Sequence, residues 1–306
     1  MNPCLNTSGG IPESKRASEL SKLLGIQISP LQVVQGHSPF KDFVNRFENE
    51  LVVAVGKGEP AVVMSEYGFK KVISIDKYSS YFEAIDPLAQ YKNWEINKIN
   101  DSKSSEELPA GCNVLSDRVK GVFVVSDPID WGRDIQVLCD ILFTGGLPGS
   151  EKGQQPPIYF ANDDFEYQGI FPSERFGMGA FRLTLECIFN RMKNNNLKYT
   201  CFGKPNPFVF KTAEGILKHL MSNISYHNQM SGEQKNITHS FNTLYMIGDN
   251  PSVDIQGARK AGHPWFSILT RTGVFKGNGN HPHFPADLVV DTVEDAIDFI
   301  LKKENS

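Results

Sequence analysis

Residues 244–262 read LYMIGDNPSVDIQGARKAG, and this stretch decides the fold class. The apolar run Leu244–Ile247 predicts a buried strand, which ends at Gly248-Asp249, and Asp254 follows at the start of a predicted helix. Two carboxylates this close together, after a strand of an α/β sheet, lie where such folds bind ligands. Their hard oxygen atoms suit Mg²⁺, which takes one or two carboxylates and leaves positions for water and phosphate.

The acidic pair also has a purely structural interpretation. A Gly-Asp dipeptide is common in turns, and Asp254 could cap the helix that follows it. Short motifs also occur by chance, so this spacing alone leaves both interpretations open.

Two further motifs frame this stretch. Upstream, Gly203-Lys204-Pro205 follows the apolar segment Leu197–Phe202 and precedes a predicted helix with one apolar face. Downstream, Leu269–Val274 reads LTRTGV. In this order, the motifs resemble those of the haloacid dehalogenase-like (HAD) phosphohydrolases of class IIA, the nitrophenyl-phosphatase type. The chain is also similar to the class IIA branch named for the cat eye syndrome critical region, at Gly10–Ala17, His37–Phe40, Ser126–Asp134 and Arg175–Phe181.

The resemblance implies a chemistry. In such enzymes the first aspartate of an Asp-x-Asp motif attacks phosphorus, and the second acts as general acid and base. A hydroxyl residue and a lysine bind the phosphate, and a late acidic pair holds Mg²⁺. By position, Lys204 is the lysine, and Asp249 and Asp254 are the acidic pair. A fixed ammonium and a cation offset the charge of a transferring phosphoryl group. The alternative for Lys204 is a solvated surface lysine.

The sequence departs from this pattern at its N-terminal end. None of its 306 residues forms an Asp-x-Asp motif, so no residue can be assigned the nucleophile. The family's hydroxyl motif, Thr-Asn-Gly-Gly-Gly, is also altered, because Asn6 stands where the threonine is expected. Thr7 or Ser8 could replace it as the phosphate ligand. We therefore expect an N-terminally truncated chain whose core sheet lacks its middle strand.

Two explanations of this departure stay open. The chain is either a truncated form of a Mg²⁺-dependent phosphatase of a small phosphorylated metabolite, and inactive, or a short form with a role of its own. That role would be non-catalytic, either binding a phosphorylated metabolite or regulating the full-length enzyme. A phosphotransferase is a weaker third interpretation.

The resemblance also implies the domain organisation. The fold class is α/β, with a HAD-like Rossmannoid core, incomplete at its N-terminus, into which an α/β cap domain is inserted. We place the core at residues 1–50 and 198–306 and the cap at 51–197. Asn162 and Asp164 match an Asn-x-Asp motif at the junction of cap and core. They either orient the substrate or form a turn after a strand.

Composition limits the remaining function classes. Hydrophobic residues make up 40% and charged residues 22%, which is typical of a folded globular protein. The net charge is −4 and no basic tract occurs, so nucleic acid is not an expected partner. No apolar stretch approaches the roughly 20 residues of a membrane span. Five scattered cysteines without a CxxC pair indicate a reducing compartment. The resemblance implies a mitochondrial protein, with the cytoplasm as the alternative. A homo-oligomer is compatible with this interpretation.

Strands alternate with helices along the chain, as in βαβ units. Strands are predicted at Val52–Val55, Lys71–Ile75, Gly121–Val125, Ile158–Phe160, Leu244–Ile247 and Asp287–Val290. Helices are predicted at Pro12–Leu24, Phe40–Leu51, Asp134–Leu142, Phe181–Met192 and after Thr292, where Asp295 completes a capping box. Polar loops are predicted at Asp101–Pro109, Pro148–Pro157 and Ser222–Ser240.

Three lesser motifs have competing interpretations. Gly177 and Gly179, with Arg175, form either an anion-binding loop or a plain entry into a helix. Gly56-Lys57-Gly58 lacks the spacing of a phosphate-binding loop, which favours a turn. His281 and His283 have a spacing that a metal could use, although a solvated pair is the simpler interpretation.

Overall fold

The computed structural model describes residues 5–7, 9–92, 108, 111–193, 196–228 and 241–305. Its largest unit is a parallel sheet of five strands in the order β4-β3-β5-β6-β9. These strands are β3 (Leu51–Val55), β4 (Lys71–Ser74), β5 (Gly121–Val124), β6 (Ile158–Phe160) and β9 (Tyr199–Cys201). The helices along this part of the chain are α2 (Val44–Phe47), α3 (Pro60–Tyr67), α4 (Ile75–Ser79), α5 (Trp131–Phe143) and α6 (Met178–Lys193).

The five-stranded sheet contains most of the hydrophobic core. Strand β3 reads LVVAV, and all five of its residues are buried. Such an uninterrupted apolar run is typical of a parallel strand that is covered on both faces. Phe123 of β5 lies at the centre, fully buried among the rings of Phe40, Phe69 and Tyr159, whose centroids are 5.0–5.3 Å from its own.

Two smaller parallel sheets and a short hairpin complete the fold. Strand β1 (Leu5–Thr7) pairs with β2 (Val33–Gln35), and β10 (Leu244–Gly248) pairs with β11 (Trp265–Thr270), which pairs with β12 (Leu288–Val290). The hairpin consists of β7 (Glu166–Tyr167) and β8 (Arg175–Phe176). The remaining helices are α1 (Glu13–Leu24), α7 (Pro207–Asn228), α8 (Gln256–Ala261) and α9 (Val293–Glu304). Within the described residues, no helix is both long and apolar enough to cross a bilayer.

Most predicted elements are confirmed. Helix α9 begins at the predicted capping box, in which Thr292 Oγ1 accepts a hydrogen bond from Asp295 N at 3.1 Å. The segment at residues 148–157 contains neither helix nor strand, as predicted. Of the predicted loop Asp101–Pro109, only Leu108 belongs to the described residues.

Two predictions of secondary structure are wrong, and β2 is among the elements that were not predicted. The predicted helix Phe40–Leu51 is a 3₁₀ turn over Ser38–Phe43 followed by the short α2, because Leu51 already belongs to a buried strand. The predicted loop Ser222–Ser240 begins too early, since α7 continues to Asn228. Strand β2 was not predicted, because a three-residue apolar run gives too weak a periodicity.

One strand lies at the predicted boundary between the cap and the core. Strand β9 starts just after residue 197, yet it pairs with β6 of the five-stranded sheet. Phe40 and Phe47, from the first predicted core segment, also belong to the hydrophobic cluster of this sheet. The division at residues 50 and 197 stays a prediction.

Candidate active site

The first predicted metal ligand, Asp249, directly follows β10. Its Oδ2 accepts a hydrogen bond from Val274 N at 2.8 Å, so the loop after β11 holds the carboxylate. Gly273 allows this approach, since it has a φ of 55° and a Cβ there would lie 1.9 Å from Asp249 Oδ2. The Thr-Gly turn in the sequence therefore fixes the orientation of Asp249.

The second predicted ligand, Asp254, lies in a π-helical turn over Pro251–Ile255 that leads into α8. The side chain of Asn250 caps this turn, so the interpretation of Asp254 as an N-cap is wrong. Instead, Asp254 Oδ2 accepts a hydrogen bond from Asn250 N at 3.1 Å, and the side chain is only 6% exposed. A Cβ on Gly248 would lie 2.3 Å from Oδ2, so glycine is required there by close approach.

Lys204 reaches this acidic pair from the segment that connects β9 with α7. Its Nζ lies 2.5 Å from Asp254 Oδ1, and its side chain is 20% exposed. Burial lowers the pKa of Lys204, but the attraction of Asp254, and also of Asp164 and Asp249, outweighs burial and raises it. The ammonium is therefore charged at neutral pH, and Lys204 is not a solvated surface lysine.

Asn162 and Asp164 follow β6 and face the same region. A Cβ on Gly36 would lie 2.1 Å from Asn162 Oδ1, and one on Gly203 would lie 2.5 Å from Asn162 Cα, so these two glycines enclose Asn162. Burial raises the pKa of Asp164 to about 6, while Lys204 lowers it and Asp254 raises it. Asp164 is thus close enough to the Lys204–Asp254 pair to share its electric field.

The predicted phosphate ligands near the N-terminus are only partly described. The backbone of Thr7 forms the last position of β1, opposite Gln35 of β2. Ser8 lies outside the described residues. The loop that follows is held tightly, because Gly10 O accepts a hydrogen bond from Glu59 N at 2.6 Å.

The lesser candidates have structural roles. Gly177 N and Gly179 N donate to the carbonyl oxygens of Phe165 and Asp164, both at 2.9 Å, so they do not face an anion. This hydrogen bonding favours the plain helix entry. The Gly56-Lys57-Gly58 segment follows β3 outside any helix or strand, as predicted. The Nδ1 atom of His281 accepts the Phe284 N–H at 3.0 Å.

The residues present fit Mg²⁺ in number and chemistry. Within the described parts of the chain, no group of three or more His, Cys, Asp or Glu side chains could hold a metal ion. A pair of carboxylates is nevertheless enough for Mg²⁺, which keeps several waters and takes its remaining ligands from phosphate. Asp249 Oδ1 accepts no hydrogen bond from a described residue, so it is available to a cation.

Sequence reasoning did not single out two features of this region. Asn250 orients Asp254 through its backbone N–H, and the signal for it was an Asn-Pro-Ser sequence typical of a capped turn. Lys57 forms an ion pair with Asp127 at 2.8 Å. Both follow strands at the same edge of the five-stranded sheet, and that was the available signal.

Known proteins resemble the whole chain. Residues 201–296, which include Lys204, Asp249 and Asp254, match a family model described as HAD-hydrolase-like. The chain is 30% identical to the mitochondrial hydrolase YKR070W of Saccharomyces cerevisiae, over 98% of this chain and 85% of that protein. The chain belongs to the HAD-like hydrolases. A second relative is the cardiolipin synthase (CMP-forming)/mitochondrial hydrolase fusion protein of Schizosaccharomyces pombe, at 29% identity over 98% of this chain. The chain covers 47% of that protein's length.

Solved structures of HAD-like phosphatases share the fold. The p-nitrophenyl phosphatase of Archaeoglobus fulgidus superposes with a TM-score of 0.57 at 12% identity, over 97% of this chain and 85% of that one. A thermostable NPPase of Geobacillus stearothermophilus superposes with a TM-score of 0.54 at 16% identity, over 95% of this chain and 83% of that one. At such low identity, these likenesses show the α/β HAD-like fold alone.

Proposed function

We propose that this HAD-like hydrolase carries the phosphate and metal site of a Mg²⁺-dependent phosphatase of small phosphorylated metabolites. The observation that carries the proposal is the contact of 2.5 Å between Lys204 Nζ and Asp254 Oδ1, in the loop that also presents Asp249. A cation and an anion-binding ammonium side by side are what a phosphate monoester requires. The p-nitrophenyl phosphatases named above support this choice of reaction.

Each residue has a distinct part in this proposal. Asp249 and Asp254 would hold Mg²⁺, which when bound supplies positive charge against the phosphoryl oxygens. Lys204 binds a phosphate oxygen, and Asp254 keeps its ammonium aimed at the site. Asn250 and Val274 fix the two carboxylates through their backbone N–H groups. Thr7 or Ser8 would donate a further hydrogen bond to the phosphate.

Residues 1–306 are proposed to bind phosphate without hydrolysing its esters. No Asp-x-Asp motif occurs among them, so the covalent step of this chemistry has no nucleophile. Recombinant 1–306 is incubated with p-nitrophenyl phosphate and Mg²⁺, and we expect no p-nitrophenol above background. Metal-dependent release that Asp249→Asn abolishes would contradict the proposed inactivity.

Binding tests the site itself. Titration calorimetry of 1–306 with inorganic phosphate and Mg²⁺ should show saturable binding that Lys204→Met reduces at least tenfold, because a charged hydrogen bond is lost. Lys198→Met is the control, since that lysine is also close to β9 but is exposed. Equal binding by all three proteins would remove the basis of the proposal.

We also propose a mitochondrial location. The support is that both relatives are named mitochondrial hydrolases. Fractionation of the native cells tests this with an antibody against the chain, and recovery with the cytosolic marker alone would contradict it.

A further inference from the structure

The five-stranded sheet has a switch point of its own. Strand β3 lies between β4 and β5. The connection from β3 leads outward to β4 on one side, whereas the connection from β5 leads to β6 on the other. In open α/β sheets, ligands bind outside the carboxyl ends of the strands at such a point. Here the two loops at this point are Gly56–Gly58, after β3, and Ser126-Asp127, after β5.

An ion pair joins these two loops. Lys57 Nζ lies 2.8 Å from Asp127 Oδ2, and the side chains are 49% and 29% exposed. Their backbones are also joined, because Lys57 N donates to Asp127 O at 2.9 Å. Ser126 Oγ donates to Lys57 O at 2.6 Å. The pair is therefore held at a fixed position while both side chains stay partly open to solvent.

The loop after β1 packs against this switch point. A Cβ on Gly10 would lie 2.0 Å from Lys57 O and 2.5 Å from Ser126 Oγ. Strand β1 ends at Thr7, and Gly10, three residues later, lies directly beside Lys57 and Ser126. The pair thus lies next to the region that a bound phosphate ester would occupy.

The electrostatics connect the pair to Lys204. Burial raises the pKa of Asp164, and two charges act on the same carboxyl, since Lys204 lowers that pKa and Asp127 raises it. Lys204 in turn pairs with Asp254. Along the carboxyl edge of the sheet, Lys57 follows β3, Asp127 follows β5, Asp164 follows β6 and Lys204 follows β9. The row therefore has a lysine at each end and two carboxylates between them.

This arrangement of charges selects among leaving groups. A hydroxyl group both donates and accepts, so adjacent hydroxyls can bind a carboxylate and an ammonium in turn. A second anionic group would meet the carboxylates of Asp127 and Asp164, where like charges repel. An apolar leaving group would cover the ion pair, and the pair would then lose its hydrogen bonds to water without gaining others.

We propose, building on the phosphatase site above, that Lys57 and Asp127 are specificity-determining residues that bind hydroxyls of a neutral, polyhydroxylated leaving group, as in a sugar or polyol phosphate. In this role Lys57 donates to one hydroxyl oxygen, and Asp127 accepts from a neighbouring hydroxyl. Lys204 and the acidic pair bind the phosphate end of the same molecule.

The test is a set of titrations of residues 1–306 in Mg²⁺ with four probes: inorganic phosphate, glucose 6-phosphate, phenyl phosphate and fructose 1,6-bisphosphate. We expect glucose 6-phosphate to bind about tenfold more tightly than inorganic phosphate or phenyl phosphate, since one or two charged hydrogen bonds are gained. The bisphosphate should gain nothing over inorganic phosphate. Lys57→Gln and Asp127→Asn should each remove the preference for glucose 6-phosphate and leave the affinity for inorganic phosphate unchanged.

The matched control is the ion pair between Lys70 and Glu48, at 2.6 Å and similarly exposed, next to the amino ends of β3 and β4. Lys70→Gln should keep the full preference. If inorganic phosphate binds through Lys204 but the four probes are not distinguished, the selectivity is wrong and the phosphate site stands. If Lys57→Gln weakens all probes equally, Lys57 supports the fold and does not select. If Lys204→Met leaves phosphate binding intact, both proposals fall.

Discussion

Strands β3 and β10 have the same length and a similar apolar sequence, yet they differ in burial and in the number of strands that pair with them. Every residue of β3 is buried, with β4 and β5 paired on either side. In β10 only Leu244 is buried, and of the described residues only those of β11 pair with it. The acidic pair follows the less enclosed strand. The five-stranded sheet therefore supplies most of the packing, while the acidic pair is carried by a strand with one buried residue.

The largest effect should come from the centre of the five-stranded sheet. Phe123→Ala removes a fully buried ring in contact with Phe40, Phe69 and Tyr159. Its loss should cost about 3–5 kcal/mol of unfolding free energy. Met246→Ala in β10 is the comparison and should cost less, because Met246 is already partly exposed. Urea unfolding followed by circular dichroism measures both. Equal losses would show that the two regions are packed alike.

A pH titration tests the contact between the segment after β2 and helix α3, which packs on the five-stranded sheet. His37 follows β2 and is 0% exposed, and its Nδ1 lies 2.6 Å from the hydroxyl of Tyr67 on α3. That hydroxyl donates to Glu13 Oε1 at 2.7 Å, so His37 Nδ1 carries a proton and donates to it. Burial lowers the pKa of His37 to about 4 against the attraction of Glu13, so the folded state keeps the ring neutral.

The sign of the pH effect follows. The unfolded state takes up a proton near pH 6.5 and the folded state only near pH 4, so stability is lost as the pH falls between these values. The loss from this one group is roughly 3 kcal/mol.

His37→Gln should remove that part of the pH dependence, seen as a shallower slope of unfolding free energy between pH 6.5 and 4. Asp164 titrates in the same window with the opposite sign, so the difference between the two proteins is the relevant quantity. Parallel curves would show that His37 is not held neutral.

Gly248→Ala tests how closely the Asp254 carboxylate packs against the end of β10. The new methyl would lie 2.3 Å from Asp254 Oδ2, so the carboxylate must move away from Lys204. We expect at least a tenfold loss of Mg²⁺-dependent phosphate affinity, with a stability cost of about 1–3 kcal/mol. Gly279→Ala is the control, since a Cβ at that position would meet no other atom within 4 Å. Unchanged phosphate binding by Gly248→Ala would mean that the pair adapts or does not bind the ligand.

The smallest effect is expected at the surface of the five-stranded sheet. In the Lys70–Glu48 ion pair, the lysine side chain is 63% exposed and the glutamate side chain is 42% exposed. Lys70→Gln should change the unfolding free energy by less than about 1 kcal/mol, because water and salt screen such pairs. Thermal melts at low and high salt measure this. A larger loss of unfolding free energy that salt does not reduce would mean that this exposed ion pair contributes more to stability than screening allows.

Local patterns predicted the fold class and the loop that carries the acidic pair. Alternating apolar runs and helical periodicity predicted β3, β5, β6 and β10 because each signal lies within one short segment. The capping box at Thr292 and Asp295 is a property of four consecutive residues, and the structure contains it. The order of motifs around Lys204, Asp249 and Asp254 likewise identified the family, since it needs no knowledge of distances.

Other features depend on contacts between distant segments, and only the tertiary structure decided them. Lys204 and Asp254 are 50 residues apart, and their pairing requires the chain to bring the start of α7 to the end of β10. Strand β2 exists because β1 pairs with it, and Lys57 faces Asp127 because β3 and β5 are neighbours in the sheet. A sequence fixes the propensity of each segment, whereas the electric field of a site arises from charges that folding alone brings together.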